Sequence, residues 1–369
     1  MTKQERMLKE LVAAHKIRMC WSSKIMESSI SAGAQSISED RVRGMLIALA
    51  IGDSLGNTTE AQLPSERRQE RGEIRDYLPN WFADHRPVGV PSDDTQLAFW
   101  TLQHLVENGH VEPSELAKIF ASRQIFKSGP GTRTFVAAFE SGKDWLEAAQ
   151  DSAGNSALIR VPPAIVPHLW HKGARPWADT AFATAVIHNN AAAIGASIAF
   201  AGMLIELLKM GAPPERDWWV KRFVDVAREV EGEYALKPRA GPLVGQWSGP
   251  LWRFVEQYVP QQADRTVLDA SKCWLSGSYL LETVPTVLHI LMRHAGDPEE
   301  AIIRAVNDTK DNDSIAAIVG AAVGALHGCA RLPDRWKRGL LGRTQEADDG
   351  RIFELIDEAI RRFGPAGGC

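Results

Sequence analysis

The chain is poor in the residues and runs that mark several common protein classes. Cysteine occurs four times in 369 residues, at Cys20, Cys273, Cys329 and Cys369, with no C-x-x-C pair. That spacing gives neither a disulfide frame nor a thiolate zinc site and predicts reduced thiols in a cytoplasmic protein. No long basic run exists and the formal net charge is −4, so nothing predicts a nucleic-acid partner. The longest apolar stretch, 191–205, ends at Glu206. It is too short to cross a bilayer and reads as a buried helix, with no membrane partner expected. The N-terminus MTKQERMLKE is charged with no apolar segment behind it, unlike a secretory signal. No run of alternating β-branched residues is long enough for a sheet, so the expected class is all-α. Neither G-x-S-x-G nor G-x-x-x-x-G-K-[ST] occurs, which removes the common serine-hydrolase elbow and the P-loop.

What is present is an ordinary globular composition, 44% apolar and 24% charged, in a chain long enough for one large domain or two. Met7, Leu8, Leu11, Val12, Ile17, Trp21 and Ile25 fall near helical spacing, which predicts an amphipathic helix over 3–27. SSISAGAQSIS (28–38) reads as a linker, so 1–40 is expected as an N-terminal extension to a domain spanning 41–369. The apolar stripe of that extension either packs on its own domain or covers a partner.

Residues 41–60, RVRGMLIALAIGDSLGNTTE, read as a small-residue helix. Asp53 lies within it as a core carboxylate or a support for a site, and Glu60 follows its end. PSDDTQLAFWTLQHLVENG (91–109) begins a helix at Pro91 and Ser92 with Asp93 and Asp94 in the first turn, an arrangement that capping alone accounts for. KSGPGTRTF (127–135) is a glycine-rich break that could expose backbone N–H groups to an anion, and DSAGNS (151–156) is a second such turn. His188 and its two asparagines interrupt apolar helices over 176–208. GSYLLETVPTVLHILMRH (277–294) is a further helix, 331–350 is polar and basic, and 351–363 is a last amphipathic helix.

The chain is organised around 307–328, NDTKDNDSIAAIVGAAVGALHG. Asp308, Asp311, Asn312 and Asp313 run into an almost wholly apolar helix whose Gly320, Gly324 and Gly328 share one face. Carboxylates at the lip of a core need cations or hydrogen bonds. Ser92-Asp93-Asp94 matches Asp311-Asn312-Asp313-Ser314 in kind: each sets a hydroxyl beside acidic residues at a helix start. These are hard oxygen donors suited to Mg²⁺, Mn²⁺ or Ca²⁺ rather than zinc. Two such N-termini face to face would repel unless cations joined them, and two metals about 3.5–4 Å apart would neutralise the set. An EF-hand is excluded, because the fifth position from Asp311 is Ile315 and no glycine or closing glutamate follows.

Together, GMLIALAIGDSLG (44–56), SDDT (92–95), ETVP (282–285) and DNDSIAAIVGAAVGALHG (311–328) resemble the ADP-ribosylglycohydrolases of the dinitrogenase-reductase-activating type, over roughly 41–330. The resemblance implies an all-helical domain with a binuclear Mg²⁺ or Mn²⁺ centre. It implies metal ligands at Ser92, Asp93, Asp94, Asp311, Asp313 and Ser314, with Glu60, Asp94, Asp311 and Asp313 in catalysis. ADP-ribose is expected on Gly129, Gly131, Thr132, Gly154, Asn155 and Ser156, with His188 and Tyr279 lining the same cleft. The family's G-G-D-T-D-T stands here as Thr309-Lys310-Asp311-Asn312-Asp313-Ser314. Serine can still coordinate, and Lys310 brings a cation beside the metals or the diphosphate.

The implied reaction is hydrolysis of an N-glycosidic bond to a modified protein side chain, arginine by family precedent. Some bacterial members act as immunity proteins against ADP-ribosyltransferase toxins, and a Leu8–Leu11–Trp21 stripe docking on such a toxin is one reading of residues 1–40. The alternatives are a metal-dependent phosphoester hydrolase on the same scaffold, or a catalytically silent binding or inhibitor protein. The complete donor sets of both clusters argue against the last.

Overall fold

Helix Asn312–His327 lies antiparallel against helix Glu39–Gly56, and this pair is the centre of the molecule. Small residues at every fourth position make it possible. A Cβ added at Gly52 would sit 2.1 Å from the Ala316 carbonyl oxygen, and one at Gly320 would sit 2.2 Å from that of Ala48. At the far end a Cβ on Gly56 would fall 2.5 Å from the backbone of Asp313. The two backbones therefore touch along their length, so the glycine face expected to allow close approach has its partner in the first glycine-rich helix. Nearly every residue of both helices is buried, which their apolar composition favours.

The computed structural model describes residues 1–30, 37–60 and 62–365. Among these the regular structure is helical, with 3₁₀ turns and a few isolated bridges but no strand; the chain is all-α. Helices Pro298–Asp308, Leu280–His294, Ala191–Leu207 and Asp93–Asn108 surround the central pair. The apolar stretch 191–205 is a buried helix, Ala191–Leu207, whose first turn is capped by the Asn190 side chain. Among the described residues no helix is long and apolar enough to cross a membrane.

The N-terminal segment differs from the single helix expected over 3–27. Helix Lys3–Ala13 stops where His15 takes a left-handed conformation (φ 54°). The N–H groups of Lys16 and Ile17 turn back to the Leu11 carbonyl, which lets Ile17 reach the core, 1% exposed. A short second helix, Ser23–Met26, follows. The segment is tied down throughout. Asn189 accepts from Arg18 N–H (2.9 Å) and donates to the Lys16 carbonyl (2.7 Å), and Trp177 donates to the Ser28 carbonyl (2.7 Å). Leu8 is fully buried, and Leu11 and Trp21 pack half-buried against the same core. Of the two readings of the stripe, these contacts favour packing on the chain's own helices. Residues 31–36 of the expected linker lie outside the described residues, but Ile30 and Ile37 on either side are buried.

The polar 331–350 region is not wholly peripheral. Its helix Asp334–Gly339 leads back beside Gly89 through paired backbone hydrogen bonds (2.8 Å each), and Arg343 and Thr344 end buried.

Candidate active site

The antiparallel pairing sets the C-terminal end of helix Glu39–Gly56 against the N-terminal end of helix Asn312–His327. Glu60 follows the first helix after the 3₁₀ turn Asn57–Thr59, and Asp311 and Asp313 open the second. Their carboxylates form one group, with an oxygen of each within 4.8 Å of the others. Asn312 fastens the two ends by donating to Thr59 Oγ1 (3.0 Å) and the Val306 carbonyl (3.1 Å).

Arg67, which sequence reasoning did not single out, binds the same two ends from below. Fully buried, it donates to the carbonyls of Thr59 (3.4 Å) and Gln62 (3.0 Å) on the Glu60 side. On the Asp311 side it reaches those of Val306 (2.7 Å), Asn307 (3.2 Å) and Thr309 (3.0 Å). A buried arginine so close to an acidic loop was a sequence signal only if its place in the core could be known.

The second cluster begins helix Asp93–Asn108. Ser92 Oγ accepts from the Asp94 N–H (3.2 Å), so the serine is a helix cap. Asp53 holds the turn from behind. Its carboxylate accepts from the N–H groups of Ser92 (2.9 Å) and Thr95 (3.2 Å), from Thr95 Oγ1 (2.5 Å) and from Asn57 (3.2 Å). That is the supporting role expected of it. The clusters meet where Ser314 Oγ donates to Asp94 Oδ2 (2.6 Å).

Between them lies a cavity of about 260 Å³. Glu60, Asp93, Asp94, Asp311, Asp313 and Ser314 share its lining with Gly129, Gly131, Thr132, Gly154, Asn155, Ser156 and His188. Asn155 ties the halves by donating to Asp311 Oδ2 (2.5 Å). The glycine-rich break is shorter than 127–135: Pro130 starts a helix, Pro130–Glu140, so Gly131 and Thr132 lie in its first turn. First-turn N–H groups have no partner within their helix and favour an anion. His188 is a buried post beneath both glycine turns. Its ring is bonded to Ser152 Oγ (2.7 Å) and Ser156 Oγ (2.8 Å), and a Cβ on Gly154 would meet it at 2.9 Å. Burial and the neighbouring Arg160 press its pKa down to about 3, so the ring is neutral.

Three expected residues are placed differently. Ser92 lines an adjoining groove, not this cavity. Tyr279 is buried with its hydroxyl turned away to the Lys237 carbonyl (3.0 Å) and the Arg239 guanidinium 4.1 Å over its ring. Its backbone pairs with Gly154, and its neighbour Ser278 takes the place on the wall. Lys310 is exposed and opens onto a larger hollow of about 630 Å³ behind the acidic loop. That hollow contains none of the clustered carboxylates, so the chemistry belongs to the smaller cavity.

The electrostatics follow from crowding. Burial first, then mutual repulsion, raises Asp94 and Asp313 well above the usual carboxylate range. The same causes raise Asp93 to about 7, and burial first raises Asp311 to about 6. Among the described residues the ion pair in this group is Lys127 Nζ to Glu60 Oε2 (2.8 Å), while Arg160, Arg67 and Lys310 act on Asp94, Asp313 and Asp311 by charge alone. A cluster of oxygen donors with so little compensation fits hard divalent cations, with Glu60, Asp311 and Asp313 as the tightest group and Asp93 and Asp94 facing them.

Comparison with known proteins gives a consistent result. A family profile described as ADP-ribosylglycohydrolase matches residues 34–367. The chain is 25% identical over 302 residues to the ADP-ribosyl-[dinitrogen reductase] glycohydrolase of Rhodospirillum rubrum, covering 80% of this chain and 89% of that one. It is also 25% identical to the ADP-ribosylarginine hydrolase Tri1 of Pseudomonas putida, covering 80% and 73% respectively. A solved structure titled ADP-ribosylglycohydrolase-related protein complex superposes with a TM-score of 0.62 at 21% identity, over 89% of this chain and 99% of that one, which establishes the shared fold.

Proposed function

This chain belongs to the ADP-ribosylglycohydrolase family, and on that premise we propose that it hydrolyses the bond between ADP-ribose and a protein side chain, arginine foremost. The observation that carries this reading is the cavity itself, with clustered carboxylates on one wall and two glycine turns on the other. The resemblance to a protein named ADP-ribosylarginine hydrolase supports arginine as the acceptor.

Asp93, Asp94, Asp311 and Asp313, with Glu60, would hold two divalent cations, Mg²⁺ or Mn²⁺. When bound, such a pair supplies positive charge that orients the ribose hydroxyls and acidifies the attacking water. The N–H groups of Gly131, Thr132, Gly154 and Ser156 bind the diphosphate as a backbone anion site, while that of Asn155 is held by the Ser278 carbonyl (3.0 Å). Asn155 positions Asp311 through its hydrogen bond, and neutral His188 fixes the spacing of the two turns. Water adds to the anomeric carbon as the carbon–nitrogen bond breaks through an oxocarbenium-like state. Glu60 or a cluster aspartate takes the water's proton, and the guanidine leaves with a proton of its own. Toxin docking by residues 1–40 is not part of this proposal, because Leu8 is buried within the chain.

Asp313→Ala, assayed for free ADP-ribose from ADP-ribosylated arginine with and without EDTA, tests the reading. Loss of activity in the variant and in the chelated wild type is expected. Full activity in both would overturn the metal-dependent mechanism, and release of phosphate in place of ADP-ribose would favour a phosphoesterase.

A further inference from the structure

The catalytic cavity does not end at the carboxylates. A second groove of about 470 Å³ opens on the other side of Glu60, Asp93 and Lys127, which line both. The glycine turns line only the first. The groove is walled instead by Trp81, Phe82, Phe126 and Arg343. We propose that it receives the acceptor polypeptide: the segment of the modified protein that carries the ADP-ribosylated side chain. The inference rests on the hydrolase reading above.

Two observations support it. The first is continuity. If the diphosphate lies on the glycine turns, the bond to be cut lies among the carboxylates, and the groove beyond them is where the other half of the substrate must leave. The second is the state of its aromatics. Trp81 is 76% exposed and Phe82 72% exposed, in a chain whose other tryptophans and phenylalanines are mostly buried or half-buried. They are held out by a tight turn. The Asn80 side chain accepts from the Phe82 N–H (2.9 Å), the His85 N–H returns to the Asn80 carbonyl (2.9 Å), and Asp84 and His85 both take left-handed conformations. The His85 ring braces Trp81 edge-on, with centroids 5.1 Å apart. Arg343 joins the walls, its guanidinium 3.9 Å over the Phe126 ring and 5.5 Å over that of Phe82. Fixed, exposed aromatics beside a reactive centre are the usual anchors of a protein contact. Glu346, on the groove and outside the metal-holding group, offers a carboxylate to the basic segment that carries the modified arginine.

The experiment compares an ADP-ribosylated protein with free ADP-ribosyl-arginine as substrates for wild type, Trp81→Ala, Phe82→Ala and the double variant. Both side chains are exposed, so the variants are expected to fold, which circular dichroism checks. The ratio of kcat/KM on protein to kcat/KM on the small substrate should fall at least tenfold, through KM on the protein. An unchanged ratio overturns the proposal, whether neither value moves or both fall together, the latter placing the nucleotide in the groove. If wild type releases ADP-ribose from neither substrate, the hydrolase reading itself falls and takes the groove assignment with it. If wild type is active and the ratio stays constant, only the groove assignment falls.

Discussion

Replacing Arg67 by methionine isolates the role of a side chain that never reaches the cavity. Methionine keeps much of the buried volume and removes every donor. Five carbonyls lose a donor, three of them at 3.0 Å or less, though those of Val306 and Thr59 keep one from Asn312 and the Gln62 N–H. A hydrogen bond from a charged donor contributes about 1.5–3 kcal/mol net, and contributions within one network do not add. Removing one side of a buried charged network costs about 3–5 kcal/mol, so about 4 kcal/mol is the expected loss. Unfolding entropy near 2.1 cal/mol/K per residue gives about 0.8 kcal/mol/K for 369 residues. Arg67→Met should therefore melt about 5 °C lower, by calorimetry on the metal-free protein. The kinetic effect should be larger in proportion, because Arg67 sets Glu60 against Asp311, and a displacement of about 1 Å in a reacting group costs about 100-fold. Arg67→Lys, keeping the charge and some of the bonds, should fall between. A variant that melts with wild type, or that melts lower yet keeps its kcat, would refute the positioning role.

Other expectations follow from the same geometry. With folded-state pKa values of about 7 for Asp93 and about 6 for Asp311 against 3.8 in the unfolded chain, the metal-free native state holds more protons than the unfolded one. Its stability should therefore fall as pH rises from about 4 to 7. Cation binding needs those carboxylates ionised, so calorimetric titration with Mn²⁺ should show proton release and an apparent affinity rising between about pH 6 and 8. Gly320→Ala should destabilise by about 3 kcal/mol or more, since a Cβ at 2.2 Å from the Ala48 oxygen meets backbone that no rotamer can clear. Gly129→Ala meets nothing within 4 Å and should leave Tm unchanged, while its KM rises if a diphosphate lies against that backbone.

The all-α class was legible because no stretch carried a strand's alternation, and the long helices were marked by apolar runs that end at Asn57, Gly109 and Gly328. The carboxylate clusters were legible because each combines a helix start with acidic residues that a packed core cannot leave uncompensated. Their assembly was encoded as well, in two four-residue repeats, Gly44-Ala48-Gly52-Gly56 and Ala316-Gly320-Gly324-Gly328, which sequence reasoning saw singly and did not pair. What sequence could not supply depends on distant partners. Tyr279 turns from the cavity because the Lys237 carbonyl, 42 residues away, takes its hydroxyl. The N-terminal helix breaks at His15 because Ile17 is buried beneath groups far along the chain.

The central helix pair also governs when the site can exist. Thr59 and Asn312, which fasten it, are 253 residues apart. At a ribosomal rate of about 5–20 residues per second, the first helix waits about 13–50 s for its partner. Throughout that interval its small-residue face has nothing to lie against, and the group of Glu60, Asp311 and Asp313 is incomplete. Metal therefore cannot nucleate this fold during synthesis. It can only lock a chain extended past Asp313, and a product truncated anywhere in the interval would expose an apolar helix and be a substrate for chaperones and proteases.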